Sequence, residues 1–198
     1  MSKITSRIAA LEHAITALYD KHDPDRTAWA DWLGANHIFL VADMAAQLAL
    51  RHGANEDLAR AGGLLHDVAD AVMSRFAPEH GEKSLEIARK LMQEAGFTAE
   101  EIRTTVDDAI RLHSCHDGQL PESLEGKVLA SADAKAHLCS DFYLFAAWSF
   151  GKEGKSLEEV KQYVLKKIDR DYHNKILFDD VRQECEVSYN ELKALFSR

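Results

Sequence analysis

Apolar residues recur at intervals of three and four along most of this chain, the spacing of a single buried helix face. Ile4, Ile8, Leu11, Ile15 and Leu18 form the first such stripe, which the run Lys21-His-Asp-Pro24 ends. A second helix is expected from near Thr27 to His52, stopped by Gly53, and a third opens at Asn55 and runs through His66 and Asp67. Pro78 separates it from a fourth over about 79–94, which Gly96 follows. Thr98-Ala-Glu-Glu101 spells a capping box for the helix that carries His113, and Ser156-Leu-Glu-Glu159 spells another. Between them come a loop over 117–121, a helix from about Glu122 through Asp133, and the aromatic-rich segment Phe142–Phe150, read as core in preference to a dimer face. The last helix reaches about Phe196. No segment reads as a strand and no repeat or linker divides the chain. The expectation is an all-α, single-domain bundle over residues 1–198.

Composition narrows the class of protein. With 46% hydrophobic and 29% charged residues among 198, the chain is ordinary for a globular domain and long enough to bury a sizeable core. No apolar stretch is expected to approach the roughly 18 residues of a membrane span, and residues 1–10 lack a secretory signal, so a cytoplasmic location is the expectation. Cys115, Cys139 and Cys185 are scattered without CxxC spacing and read as buried, inert thiols. A net charge of −9 opposes a broad face for polymeric nucleic acid. A small anionic substrate stays compatible if a metal and a few local cations offset that field.

The chemistry must be sought among ten histidines. His13, His22, His52, His137 and His173 sit in polar or helix-end contexts and read as bystanders. His66-Asp67 is different, because it lies in the apolar run Ala61-Gly-Gly-Leu-Leu-His-Asp-Val-Ala-Asp70. Two hydrophilic side chains there would each cost a few kcal/mol unless something satisfies them. His37 shares a buried face with Leu40, Val41, Met44 and Leu48, and Asp133 stands in the alanine-rich run 128–138, so both raise the same question. Consecutive residues of one helix point about 100° apart, so His66 and Asp67 need donors from other helices to hold one ion. His37 and Asp133 are the natural donors, and the mixed N and O set suits Mn, Fe, Co, Ni or Zn better than Ca. Gly62 and Gly63, in a helix interior, call for close approach of another helix or a ligand. Asp70, four residues after His66, reads as sharing its face, where it would orient a water or move a proton, or else as a solvent-facing carboxylate. His116 reads as a loop residue.

This set resembles the HD-domain superfamily of metal-dependent phosphohydrolases. The pieces that carry the resemblance are His37 in Asn-His-Ile-Phe-Leu-Val-Ala, His66-Asp67, Glu79-His80 before Lys83-Ser-Leu-Glu-Ile-Ala, Ala109-Ile-Arg-Leu-His113 and Ser131-Ala-Asp133, spanning about 30–140. The run 167–172 looks like the C-terminal part of small bacterial HD hydrolases, with 141–198 completing the bundle and pocket. The resemblance implies a central divalent cation (Mn, Ni, Co, Fe, Zn or Mg) held by His37, His66, Asp67 and Asp133. His80 and His113 stand where several branches place second-metal ligands or phosphate contacts, and one metal site is favoured over two. Such a site activates a water for attack on phosphorus. The substrate implied is a nucleotide or another small phosphorylated metabolite, with Lys83, Arg111, Lys135 and Arg170 as candidate phosphate contacts. Two other classes stay open: a di-iron oxygenase of the same superfamily, which needs both His80 and His113 as ligands, and a non-catalytic binding module. A homodimer is compatible with either.

Overall fold

The spacing of apolar residues becomes helix throughout the computed structural model, which describes residues 5–198 and contains no strand among them; Ile4 of the first stripe lies outside that range. Helix α1 (Ser6–Tyr19) starts where the Thr5 side chain accepts from the Ile8 N–H, and its stripe buries Ile8, Leu11 and Ile15. A long helix, α2 (Trp29–His52), ends at Gly53, whose φ of +80° is the left-handed turn that glycine adopts without a Cβ penalty. Asn55 caps α3 (Glu56–Leu65) by accepting from Leu58 N–H. Next come α4 (His80–Glu94) and α5 (Ala99–Ile102, prolonged by the π-helical stretch Arg103–Ile110). Then follow α6 (Leu124–Leu138), α7 (Phe142–Lys152), α8 (Leu157–Arg170, prolonged by a π-helical turn Asp171–Lys175) and α9 (Asp179–Phe196). Both expected capping boxes form, at Thr98 with Glu101 and at Ser156 with Glu159.

Helices α2, α3 and α6 are the centre of the bundle, with α1, α4 and α5 against one side and the C-terminal helices against α6. Small residues let these backbones approach: Ala42, Ala45, Ala46 and Ala49 on α2 and Ala130, Ala132, Ala134 and Ala136 on α6 are all buried. Because α2 packs against both α3 and α6, its apolar face is wide. The expectation that no stretch is apolar and long enough to span a membrane is therefore corrected. Residues Trp29–His52 meet that measure with a mean hydropathy of 1.3 over 18 residues, and half of that window is buried inside the bundle.

The aromatic segment divides by helical face. Phe142, Tyr143 and Phe150 are buried, and Trp29 packs edge-on against Phe150 and Phe145, whereas Trp148 is exposed. The cysteines also differ from expectation. Cys115 and Cys185 are buried, but Cys139 is exposed, and its Sγ lies 3.8 Å from that of Cys185 because α9 crosses the C-terminus of α6.

The third helix is shorter than the periodicity implied. It stops at Leu65; His66 caps it, Asp67 leaves helical geometry (φ −123°, ψ 33°), and a 3-10 turn takes over at Val68–Ala71. Asp70 therefore does not continue the face of His66, and it is not solvent-facing either, being fully buried.

Candidate metal centre

Three elements of the bundle centre converge on one carboxylate. His37 comes from the π-helical turn Gly34–Ile38 inside α2, His66 from the end of α3, and Asp133 from the middle of α6. A π turn adds a residue to the helical repeat and re-aims the side chains around it, a device common at functional sites. Each of the three offers a ligand atom within 4.8 Å of the others, and all three are buried.

The details fit a cation. Asp133 Oδ1 is ringed by His37 Nε2 at 3.1 Å, His137 Nε2 at 3.3 Å and His66 Nε2 at 3.6 Å. Yet Asp133 Oδ1 and His66 Nε2 are both buried without a hydrogen-bond partner. His66 Nδ1 lies 2.9 Å from the Gly63 carbonyl, which can only accept, so the proton sits on Nδ1 and Nε2 presents a bare lone pair to the centre. A histidine whose other nitrogen donates to a backbone carbonyl is the arrangement of a metal ligand. A buried lone pair facing a buried carboxylate oxygen is costly until a positive group stands between them.

Asp67 stands at the edge of this cluster. Its Oδ2 is 3.8 Å from His66 Nε2 and accepts from Arg75 at 2.9 Å; its Oδ1 is 4.0 Å from His113 Nε2. Burial would raise its acid, but the positive charge around it, with the Arg75 guanidinium in direct contact, outweighs that and holds it well below the usual carboxylate range. Arg75 also reaches Asp70 Oδ2 at 3.5 Å, and Asp70 Oδ1 is 3.0 Å from His80 Nε2. The structure thus gives His80 a carboxylate partner and puts a guanidinium between Asp67 and Asp70. His113 donates from Nδ1 to the Ile110 carbonyl at 2.6 Å, and burial pushes its imidazole down to about 4.

Several polar residues that line the centre were not singled out in the sequence. His137, read as a bystander, is buried with Nε2 toward Asp133 and Nδ1 donating to Asp171 Oδ2 at 2.8 Å; burial pushes it down to about 3. Its signal was present, four residues after Asp133 and so on the same face of a buried helix. Tyr143 donates to the same Asp171 oxygen at 2.5 Å, and Lys167 lies 3.3 Å from it. Lys175 is fully buried and pairs with Asp133 Oδ2, leaving Oδ1 free for the cluster. For Asp133, burial raises the acid while His137, Lys175 and the adjoining His37 imidazole pull it well below the usual range.

Of the candidate phosphate contacts, Lys83 pairs outward with Glu86 at 3.0 Å, Arg111 with Glu82 at 2.8 Å, and Lys135 with Glu184 across to α9. Surface ion pairs account for these three. Arg170 is placed differently, with Nη1 3.1 Å from His116 Nε2 beside a cleft next to the cluster. Among the other histidines, His52 stacks on Phe178, and His173 lies 3.1 Å from the Tyr189 hydroxyl.

His80 gives a pH test of this geometry. Burial lowers its pKa, and the hydrogen bond to Asp70 with the charges of Asp67 and Asp70 more than reverses that. A histidine raised in the folded state stabilises fully below about pH 6.5 and loses that contribution as pH rises through the folded value. In metal-free protein the His80 ring is expected to titrate above 6.5 by NMR, and His80→Ala to remove that part of the pH dependence of unfolding. A midpoint at or below 6.5 would contradict the Asp70 contact.

A model of the HD domain family matches residues 34–137. Among curated proteins, the chain is 29% identical to Ribonuclease Y of Sulfurovum sp. (strain NBC37-1) over 124 residues, 63% of this chain and 22% of that protein. It is 35% identical to Ribonuclease Y of Aster yellows witches'-broom phytoplasma (strain AYWB) over 97 residues, 49% of this chain and 16% of that one. With Ribonuclease Y of Thermotoga maritima it shares 33% over 100 residues, 50% and 17% of the two chains. The matches thus span only about a fifth of the relatives' length. No solved structure matches at a significant level.

Proposed function

Because this chain belongs to the HD domain family, a family of metal-dependent phosphohydrolases, we propose that it hydrolyses a phosphate ester or anhydride of a nucleotide or similar small phosphorylated metabolite. The observation that carries this reading is the buried trio His37, His66 and Asp133, with the bare Nε2 of His66 and the unpartnered Oδ1 of Asp133 facing each other. In this reading His37, His66, Asp133 and Asp67 hold one divalent cation. When bound, that cation lowers the pKa of a water toward neutrality and neutralises charge on the phosphoryl oxygens.

The remaining groups act on those four. Gly63 O fixes the His66 tautomer, and Lys175 takes the outer oxygen of Asp133, orienting the inner one. Arg75, itself braced by Asp70, orients Asp67, so Asp70 is a positioning residue in this reading and no longer the water's base. His137, clamped by Asp171, presents Nε2 toward the cluster and excludes solvent from it. A single cation is favoured over two because Arg75 already bridges Asp67 and Asp70, and His80 already bonds to Asp70.

The test is elemental analysis of protein purified without chelator, wild type against Asp67→Ala, followed by phosphate release from nucleoside mono-, di- and triphosphates and from an RNA oligomer. About one divalent metal per chain, lost in the variant, with release from the small nucleotides, is the expected result. Two irons per chain would replace the reading by an oxygenase, and absence of metal from both proteins would end it. Cleavage of RNA with no release from nucleotides would move the substrate toward that implied by the relatives' name.

A further inference from the structure

The metal cluster leaves unexplained a cleft of about 710 Å³ between the loop at Cys115 and His116 and the face of α8 that carries Lys166, Lys167, Arg170 and His173. That volume lies inside the roughly 300–1,000 Å³ of small-ligand sites, large enough for a nucleotide. Its cations come from a helix beyond the matched residues 34–137, in a chain whose net charge is −9.

Two of these cations are short of acidic partners. Lys166 is exposed on the cleft wall and forms no ion pair or hydrogen bond among the described residues, the pair with Asp171 belonging to its neighbour Lys167. Arg170 lies against the His116 ring, which cannot neutralise it; its nearest carboxylate oxygen, on Asp171, is 3.9 Å away, and its Nε has no hydrogen-bond partner. Residues 166 and 170 are four apart and so share one helix face. Of the two acids that line the cleft, Asp169 is engaged by Lys193 at 2.7 Å and Tyr189 at 2.9 Å, which leaves Asp117 to oppose both cations. A guanidinium with open donors beside an unpaired ammonium is the chemistry that grips phosphoryl oxygens.

The cleft adjoins the metal cluster, with a side-chain contact on one wall and the chain leading to His113 on the other. Lys167 Nζ is 3.3 Å from His137 Nδ1, whose Nε2 is 3.3 Å from Asp133. On the other wall, Cys115 follows by two residues His113, whose Nε2 is 4.0 Å from Asp67.

We propose that this cleft is a second anion subsite, in which Arg170 and Lys166 hold a phosphoryl group of the substrate other than the one attacked. It selects molecules with at least two linked phosphoryl groups, such as a nucleoside di- or triphosphate. The identity of the substrate rests on the phosphohydrolase reading; the binding of an anion does not.

The deciding experiment is calorimetric titration of inorganic tripolyphosphate into chelator-treated wild type and Lys166→Ala/Arg170→Ala, both checked for an unchanged thermal midpoint. Wild type is expected to bind, more weakly as salt is raised, and the double variant to bind at least about tenfold more weakly. Arg170→Lys, with Lys166 kept, should recover part of the loss. Equal binding by wild type and double variant, or none by wild type, overturns the proposal. In the metal-loaded enzyme, the ratio of kcat/KM for a nucleoside triphosphate to that for p-nitrophenyl phosphate should fall about tenfold in the double variant. An unchanged ratio also overturns it. If no substrate releases phosphate, the hydrolase reading falls by itself, while the tripolyphosphate titration still decides the cleft.

Discussion

Asp133→Asn is expected to weaken metal retention by at least about 100-fold and to lower phosphate release by about a thousandfold. Among the described residues, Asp133 is the one carboxylate that three imidazole nitrogens face within 3.6 Å, and it makes a dication at that spot affordable in a buried setting. Asparagine keeps the shape and one carbonyl oxygen but removes the charge. Asp133→Asn and Asp133→Ala both leave Lys175 buried without its counter-charge, a folding cost of about 3–5 kcal/mol, and Asp133→Ala also removes its hydrogen-bond acceptor. Comparing chelated wild type with both variants by thermal unfolding, and all three by elemental analysis, separates the two effects. Retention of a full complement of metal by the asparagine variant would show that the ion, if any, is held elsewhere.

Gly63→Ala carries the second large effect, this time on stability. A Cβ on Gly63 would fall 2.5 Å from Ala42 Cα and 2.7 Å from Ala42 N, both backbone atoms of α2 that cannot swing aside. Separating α2 from α3 should cost about 3 kcal/mol or more, which for a chain of this size lowers Tm by about 6–12 °C. It should also loosen the metal centre, because the Gly63 carbonyl holds the His66 tautomer. The neighbouring Gly62→Ala is the control. Its Cβ would meet Leu129 Cδ2 at 3.2 Å, a methyl that can turn away, and the roughly 1 kcal/mol gained in helix propensity offsets the crowding. Similar Tm losses in the two variants would show that α2 and α3 are not closest at Gly63.

These glycines illustrate how far the chain is legible by itself. Two glycines in a helix interior signal close approach, but both carry the same sequence signal, and only the packed bundle shows that Gly63 meets backbone while Gly62 meets a side chain. The same holds at the centre. His66 and Asp133 stand out as polar residues in apolar runs, and so does His37 by its periodicity. His137 carries the same signal in the same helix, yet among ten histidines it was indistinguishable from a helix-end residue until Asp171 was seen to clamp it. Asp70 does not share the face of His66 that its spacing implies, because unbroken apolar periodicity does not announce that the chain leaves the helix at Asp67.

What the sequence alone determined is the all-α class, the helix starts at Thr98 and Ser156, the stop at Gly53, and the polar residues that a core cannot leave unsatisfied. These are local matters: helical periodicity, capping hydrogen bonds and the desolvation cost of a single side chain depend on neighbours within one or two turns. The tertiary structure alone decided how those polar groups are satisfied. Lys175 pairs with Asp133 across 42 residues and His137 with Asp171 across 34, and Arg75 stands between Asp67 and Asp70 after a break in the chain's direction. A charge in a low-dielectric interior interacts with whichever groups the bundle brings within a few ångströms. That proximity is a property of how the helices pack, and no period along the chain records it.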